Sequence, residues 1–325
     1  MDKTVFNIAH DSEFREKALE VFRFQSENCA PYRNWIEYLG VERNEINDLE
    51  QIPFLPVEFY QNKEVYCADT KAEIVFETSG TTGAIAGRHY VADLSLYETS
   101  FMGAIRYFYP LIEEYCVLAL LPAYLERKGS SLIYMVNHLI ELTKNRGSGF
   151  FLYNHEELAS VLKSNESKKQ KTLLLGVSFA LLDFIEKYSF PLKHTLVMET
   201  GGMKGRRKEE LRSEVHKKIK QAFNIQSVHS EYGMTELLSQ AYSKGDGVFY
   251  TPPWMKILIR DIYDPKNIAG TEKQGGINII DLANFNSCSF IATKDIGKLY
   301  PDGGFEVAGR FDHSDIRGCN LMVQD

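Results

Sequence analysis

Short apolar runs alternate with stretches of helical period along most of this chain. Phe14, Ala18, Val21, Phe22 and the Phe24 to Gln25 pair fall near helix spacing, and Pro31 marks a break. Pro53 and Pro56 predict an extended, turn-rich approach to residues 78–83. Leu94 to Tyr107 reads as a helix, Val117 to Leu121 as a buried strand ending at Pro122, and Ser131 to Lys144 as a helix. The polar run Lys163 to Lys171 is expected to be a solvated loop. Thr172 to Gly176 reads as a strand, Ala180 to Tyr188 as a helix, and Thr195 to Met198 as a strand ending at Gly201-Gly202. Leu211, Val215, Ile219 and Phe223 recur every four residues, an amphipathic helix. Ser227 to Ser230 is a short strand leading into Glu231-Tyr232-Gly233. Strands alternating with helices predict a mostly parallel α/β sheet, whose ligands bind at the strands' carboxyl ends.

The pattern changes after about Gly245. Trp254 to Arg260, Gly276 to Leu282, Ser289 to Ala292 and Phe305 to Val307 are short strand candidates separated by turn signals such as Pro301-Asp302-Gly303-Gly304. The predicted organisation is an α/β core over 1–245, a small antiparallel β subdomain over 246–312, and a short tail over 313–325. The 325 residues suffice for one large domain or two. A formal net charge of −7 argues against a nucleic-acid partner. No apolar run is long enough to insert in a membrane, and no basic stretch followed by an apolar run opens the chain. The five cysteines (29, 67, 116, 288 and 319) are widely spaced with no CxxC, which points to a reducing, cytoplasmic setting and to no zinc or disulfide framework.

The densest chemistry lies in Thr78-Ser79-Gly80-Thr81-Thr82-Gly83, four hydroxyls and two glycines directly after the apolar Ile74-Val75-Phe76. Such a loop aims backbone N–H groups and hydroxyls at one point, as a phosphate requires. No Gly-Lys-Ser/Thr follows, so it is not the common P-loop. Gly201-Gly202, Tyr232-Gly233-Met234-Thr235-Glu236, Asp295-Ile296-Gly297 and Gly309-Arg310-Phe311-Asp312 also stand out. Taken alone, each has an ordinary reading. The first loop is then a strand-to-helix turn, Tyr232 to Glu236 a helix start capped by Thr235 and Glu236, Asp295 a surface acid, and Arg310 with Asp312 a surface ion pair.

Together and in this order, these motifs resemble those of the adenylate-forming superfamily, which includes acyl-CoA synthetases and firefly luciferase. Within it the chain is most similar to the acyl-protein synthetase (LuxE-like) family, through Leu121-Pro122-Ala123-Tyr124-Leu125-Glu126-Arg127 with Ser130-Ser131, Gly87-Arg88-His89-Tyr90, and Ile316-Arg317-Gly318-Cys319-Asn320-Leu321. The resemblance spans roughly residues 50 to 325. It implies an adenylate-forming N-terminal-domain-like fold without the C-terminal lid and its lysine. It also implies an ATP- and Mg²⁺-dependent ligase that converts a carboxylic, chiefly fatty, acid to acyl-AMP. The 78–83 loop would hold the β- and γ-phosphates, Thr235 the α-phosphate and Glu236 the Mg²⁺. Tyr232 and Gly233, with Gly201 and Gly202, would meet adenine, Asp295 the ribose hydroxyls, and Arg310 the ribose or a phosphate. Arg88 and His89 occupy the neighbourhood of the lysine that follows the phosphate loop in the superfamily, and whether either takes its place is left open by the sequence.

The resemblance further implies that Cys319 accepts the acyl group as a thioester and offers it to an acyl reductase or another acyl-accepting protein. Arg317 beside it would favour the thiolate. Two alternatives stay open: transfer to CoA or a carrier-protein thiol, and a nucleotide- or acyl-binding module without turnover. Cys29, Cys67, Cys116 and Cys288 read as structural. His229 is either a wall of the acyl pocket or a satisfied buried histidine.

Overall fold

The computed structural model describes residues 3–67, 71–78, 85–122, 129–201 and 210–311. The chain divides into two compact units, Met1–Asp69 with Pro253–Asp325, and Thr70–Pro252. The first unit opens with α1 (Asp11–Asn28) and α2 (Ala30–Tyr38), then β1 (Leu55–Pro56) and α3 (Phe59–Asn62). The spacing read from sequence explains α1, because Phe14, Ala18, Val21 and Phe22 are all buried along it. Pro31 lies in the first turn of α2, where its missing N–H leaves no helical bond unmade. The expected break is therefore a helix start.

The second unit begins with β2 (Ile74–Glu77) and β3 (Arg88–Val91), an antiparallel pair in which Glu77 faces Arg88. There follow α4 (Leu94–Phe108), β4 (Cys116–Leu120), α5 (Ser131–Thr143), β5 (Gly149–Phe151) and α6 (His155–Ser167). Next come β6 (Thr172–Val177), α7 (Ser178–Ile185), β7 (Thr195–Thr200) and α8 (Arg212–Phe223). β8 (His229–Tyr232), β9 (Ala241–Ser243) and β10 (Val248–Phe249) complete the unit. The main sheet runs β5-β4-β6-β7-β8-β9, parallel except for β9. Every residue of β4 and β6 is buried, as expected of parallel strands covered on both faces.

Two expectations change here. Residues 163–167 are helical, not loop: α6 buries Leu158, Ala159, Leu162 and Asn165, and the polar run supplies its solvated face. Leu211 is 70 % exposed and caps α8 instead of joining its buried row of Val215, Ile219 and Phe223.

The chain then returns to the first unit as β11 (Met255–Arg260), β12 (Gln274–Asp281), β13 (Phe290–Leu299) and β14 (Phe305–Arg310). These pair antiparallel in sequence order, and β1 adds to β13 in parallel with Leu55 beside Ile291. The antiparallel β-rich part read from sequence is present. The N-terminal helices, grouped by sequence with the α/β core, cluster instead with these strands. Rings of Phe22, Tyr32 and Phe54 all lie within 5.9–6.3 Å of Phe290. The Gln25 amide donates to Phe285 O (2.8 Å) and accepts from the Ser289 N–H (2.9 Å), so a buried polar side chain is satisfied only by residues far along the chain. No described helix is long and apolar enough to cross a membrane.

Gly297, the last residue of the Asp295-Ile296-Gly297 motif, sits where a Cβ would run into the Glu306 carbonyl oxygen and lie 2.7 Å from Ile277 Cδ1. Gly297→Ala is expected to cost about 1–3 kcal/mol by overpacking, read as a lower urea midpoint at unchanged slope. A midpoint equal to wild type would show that the sheet opens there without strain.

Candidate functional site

The motifs of the second unit converge at the carboxyl ends of its parallel strands. Thr200 and Glu231 are neighbours in register, so Gly201 follows β7 beside the Tyr232 that ends β8. Tyr232 is thus the last residue of the strand, which runs past the expected Ser230. No helix begins at Thr235; a turn leads to β9, so the helix-start reading of this stretch does not hold. The Tyr232 ring is 9 % exposed and packs edge-to-face on Phe249, centroids 5.9 Å apart.

Thr78 leaves β2 at the mouth of the hydroxyl-rich loop, and Gly87 closes it. Thr78 N–H donates to Gly87 O (2.9 Å), and Gly87 N–H donates to Thr78 Oγ1 (2.8 Å). A Cβ on Gly87 would lie 3.2 Å from Glu236 Oε1 and 3.2 Å from Thr78 Cγ2. The buried Glu236 carboxylate therefore stands at the base of the loop, against the residues that pinch it. His89, two residues on, is wholly buried and has its Nδ1 2.8 Å from Thr235 O. A carbonyl only accepts, so Nδ1 carries the proton. Burial lowers the His89 pKa to about 4, so the ring is neutral at pH 7. Arg88 points elsewhere: it is half-exposed and 3.8 Å from Glu77 Oε1 across the hairpin, a contact of little energetic weight. Of the two residues near the superfamily's lysine position, His89 is the one tied to Thr235.

Spacing and motif order missed the acids behind this edge. Glu199 on β7 is buried, with Ser178 Oγ 2.6 Å from Oε1 and both His216 Nε2 (3.6 Å) and Arg212 Nε (3.5 Å) near Oε2. Burial raises its pKa, but the His216 hydrogen bond, the Arg212 charge and the Ser178 hydroxyl outweigh that and hold it below the ordinary value. Glu231 differs. It accepts from Thr200 Oγ1, its Oε1 would lie 2.5 Å from a Cβ on Gly233, and burial, with repulsion from Glu199, pushes its pKa up to about 7. The only sequence signal was a carboxylate inside a strand, next to the tyrosine of the motif.

Glu231 makes stability depend on pH. Its folded pKa exceeds the reference value of 4.5, so folding favours the protonated form. That contribution is complete below the unfolded pKa and is lost as pH rises through about 7. Between pH 5 and pH 8 it amounts to something on the order of 3 kcal/mol. Urea titrations should show Glu231→Gln losing less stability than wild type over this range. Equal losses would mean that Glu231 ionises freely in the fold.

In the first unit, Asp295 and Arg310 are register partners across β13 and β14, with Arg310 Nε 3.3 Å from Asp295 Oδ1. Asp295 is 14 % exposed and Arg310 66 %. Arg310 thus pairs with the other motif's acid, which had not been foreseen. Asp295 N–H donates to Thr293 Oγ1 at 3.0 Å. The neighbouring Arg260 is half-buried, donating to Ile277 O and Asn278 Oδ1, both at 2.9 Å. His229 has its Nδ1 3.0 Å from Tyr109 OH, and burial, then Lys244, lower its pKa to about 4. Ser79, Gly80, Thr81, Thr82, Gly83, Gly202, Asp312 and Cys319 lie outside the described residues.

Among the described residues no cluster of three or more His, Cys, Asp or Glu could hold a metal ion. Mg²⁺ bound with nucleotide needs less, one or two carboxylates plus phosphate oxygens. Glu236 at the base of a phosphate-type loop fits that requirement.

No family model matches the chain, and no curated protein matches it. Solved structures share its fold. ATP-bound MatB from Rhodopseudomonas palustris aligns with a TM-score of 0.55 at 17% identity, over 75% of this chain and 50% of its own. 2-Hydroxyisobutyryl-CoA ligase in the postadenylation state with 2-HIB-AMP gives 0.63 at 12% identity, over 93% of this chain and 68% of its own. The fold is that of the adenylate-forming enzymes. The chain spans about half the length of the MatB structures it matches.

Proposed function

We propose that this chain activates a carboxylic acid with ATP, forming acyl-AMP and pyrophosphate, and then passes the acyl group to Cys319 as a thioester. The observation that carries the first step is the joining of Thr78 and Gly87 to Glu236, with His89 holding Thr235, at the carboxyl edge of a parallel sheet. The acid's carboxylate oxygen attacks the α-phosphorus, and the bond to pyrophosphate breaks. Negative charge then grows on phosphate oxygens, and fixed donors that need no reorganisation stabilise it. Thr78 and the loop that it opens would take the β- and γ-phosphates, and the Thr235 hydroxyl would donate to the α-phosphate. Glu236 would hold Mg²⁺, which when bound supplies positive charge to the departing pyrophosphate. Gly201 and Tyr232 would border adenine. Asp295 and Arg310 take the ribose side on motif order alone.

The second step, and with it the acyl-protein synthetase (LuxE-like) assignment, the fatty character of the acid and an acyl reductase as partner, rests on the sequence resemblance. CoA as acceptor is the competing reading, supported by a structural neighbour described as a CoA ligase. Acid-dependent exchange of labelled pyrophosphate into ATP tests the first step. A panel of short, long and aromatic acids should give exchange with at least one class; no exchange with any of them would leave only a binding module.

A further inference from the structure

Glu199 belongs to none of the sequence motifs, yet its carboxylate on β7 reaches α7, β8 and α8 in the second unit. Ser178, the first residue of α7, has its Oγ 2.6 Å from Glu199 Oε1 and 3.0 Å from Gly201 O. One hydroxyl proton is thus shared between the carboxylate and the backbone of Gly201. Ser230 on β8 donates to Glu199 Oε2 at 3.2 Å. His216 Nε2 and Arg212 Nε, both from α8, lie 3.6 and 3.5 Å from the same oxygen. The Glu199 side chain is 4 % exposed and that of Arg212 28 %.

Arg212 extends this network to Tyr232. Its guanidinium carbon lies 4.9 Å from the centroid of the Phe249 ring, and Phe249, wholly buried, meets the Tyr232 ring edge-to-face at 5.9 Å. Register brings these groups together: Glu199 is the partner of Ser230, and Tyr232, two residues on, returns to the same face of the sheet. Arg212 opens α8, where the helix dipole disfavours a cation. Helix stability therefore does not account for a cation at this position; the Glu199 carboxylate and the face of Phe249 do. Gly201 leaves β7 at φ +66, a backbone that glycine takes without strain. Its carbonyl is then held by Ser178, and through Ser178 by Glu199.

We propose that Glu199 and Arg212 are positioning residues for the purine base of ATP. Glu199 holds Gly201 through Ser178, and Arg212 holds Tyr232 through Phe249, so one ion pair sets both borders of the base. The inference rests on the reading that Gly201 and Tyr232 border adenine. Neither residue takes part in bond making, so their effect falls on affinity for the base and not on the pyrophosphate end or on turnover. Binding that is equal in the ground and transition states shows in KM and leaves kcat unchanged. A carboxylate that only stabilises the fold would not separate the two ends of the nucleotide.

The test is ATP–pyrophosphate exchange with KM measured separately for each reactant, together with equilibrium dialysis of AMP, which carries the base without the leaving phosphates. Arg212→Ala is expected to raise KM for ATP and the dissociation constant of AMP about ten-fold, the scale of a partly desolvated cation–π contact. KM for pyrophosphate and the maximal rate should stay within about two-fold of wild type. Arg212→Lys, which keeps a cation between Glu199 and Phe249, should recover most of the affinity. Glu199→Gln, which removes the charge and keeps the shape, should weaken ATP and AMP at least as much as Arg212→Ala. Adding Arg212→Ala to it should cost little more, because both act through one pair. Should Glu199→Gln not fold, the two Arg212 variants decide, since Glu199 keeps Ser178, Ser230 and His216 beside it in both. An unchanged KM for ATP in Arg212→Ala, or a parallel rise for ATP and pyrophosphate, overturns the inference and leaves adenylation standing. A wild-type protein that neither catalyses exchange nor binds AMP overturns adenylation and the inference with it.

Discussion

Glu236→Gln is expected to lower acid-dependent pyrophosphate exchange by roughly a hundred- to a thousand-fold, the scale on which removing one preorganised electrostatic contact acts. Glutamine keeps the shape and the packing against Gly87 and Thr78, so the loop base should survive. What is lost is the negative charge that would hold Mg²⁺ beside the phosphates. The measurement is exchange at saturating acid over a range of Mg²⁺, with the unfolding midpoint as control. A variant within a few-fold of wild type at all Mg²⁺ concentrations would remove Glu236 from the metal's side of the site.

Cys319→Ser should abolish covalent acyl label while leaving pyrophosphate exchange intact. The protein is given ATP, Mg²⁺ and labelled acid, then denatured. Wild type should keep label that hydroxylamine releases, because a thioester is cleaved by that nucleophile, and the serine protein should keep none. This separates the two proposed steps, since adenylation as proposed would use Thr78, Thr235 and Glu236 and would need no thiol. Label persisting in Cys319→Ser would name another acceptor residue. Label appearing only on added CoA would favour transfer to an external thiol.

Much of the second unit was legible because parallel α/β sheets write themselves locally. Continuous apolar runs such as 117–121 and 172–176 stand for strands buried on both faces, and Gly201 and Tyr232 fall at the carboxyl ends of β7 and β8 in the same sheet. Of the polar run at 163–171, only 163–167 was misread, because these residues extend a helix whose buried face includes Leu158, Ala159 and Leu162; 168–171 lie beyond it as turn and coil. The placement of the N-terminal helices was hidden for another reason. Their partners, Phe285, Ser289 and Phe290, come some 260 residues later, and no local period reports a contact at that separation.

The site divides the same way. Motif order alone named Thr78, Thr235, Glu236, Asp295 and Arg310, and with them the chemistry of an adenylating loop. Burial and contact decided the rest: that His89 and not Arg88 meets Thr235, that Arg310 pairs with Asp295, and that Glu231 holds its proton near neutrality beside an ionised Glu199. A residue type and its spacing determine which donors, acceptors and charges the chain carries. Which of them meet, and which lose their water, depends on segments that only the folded chain brings together.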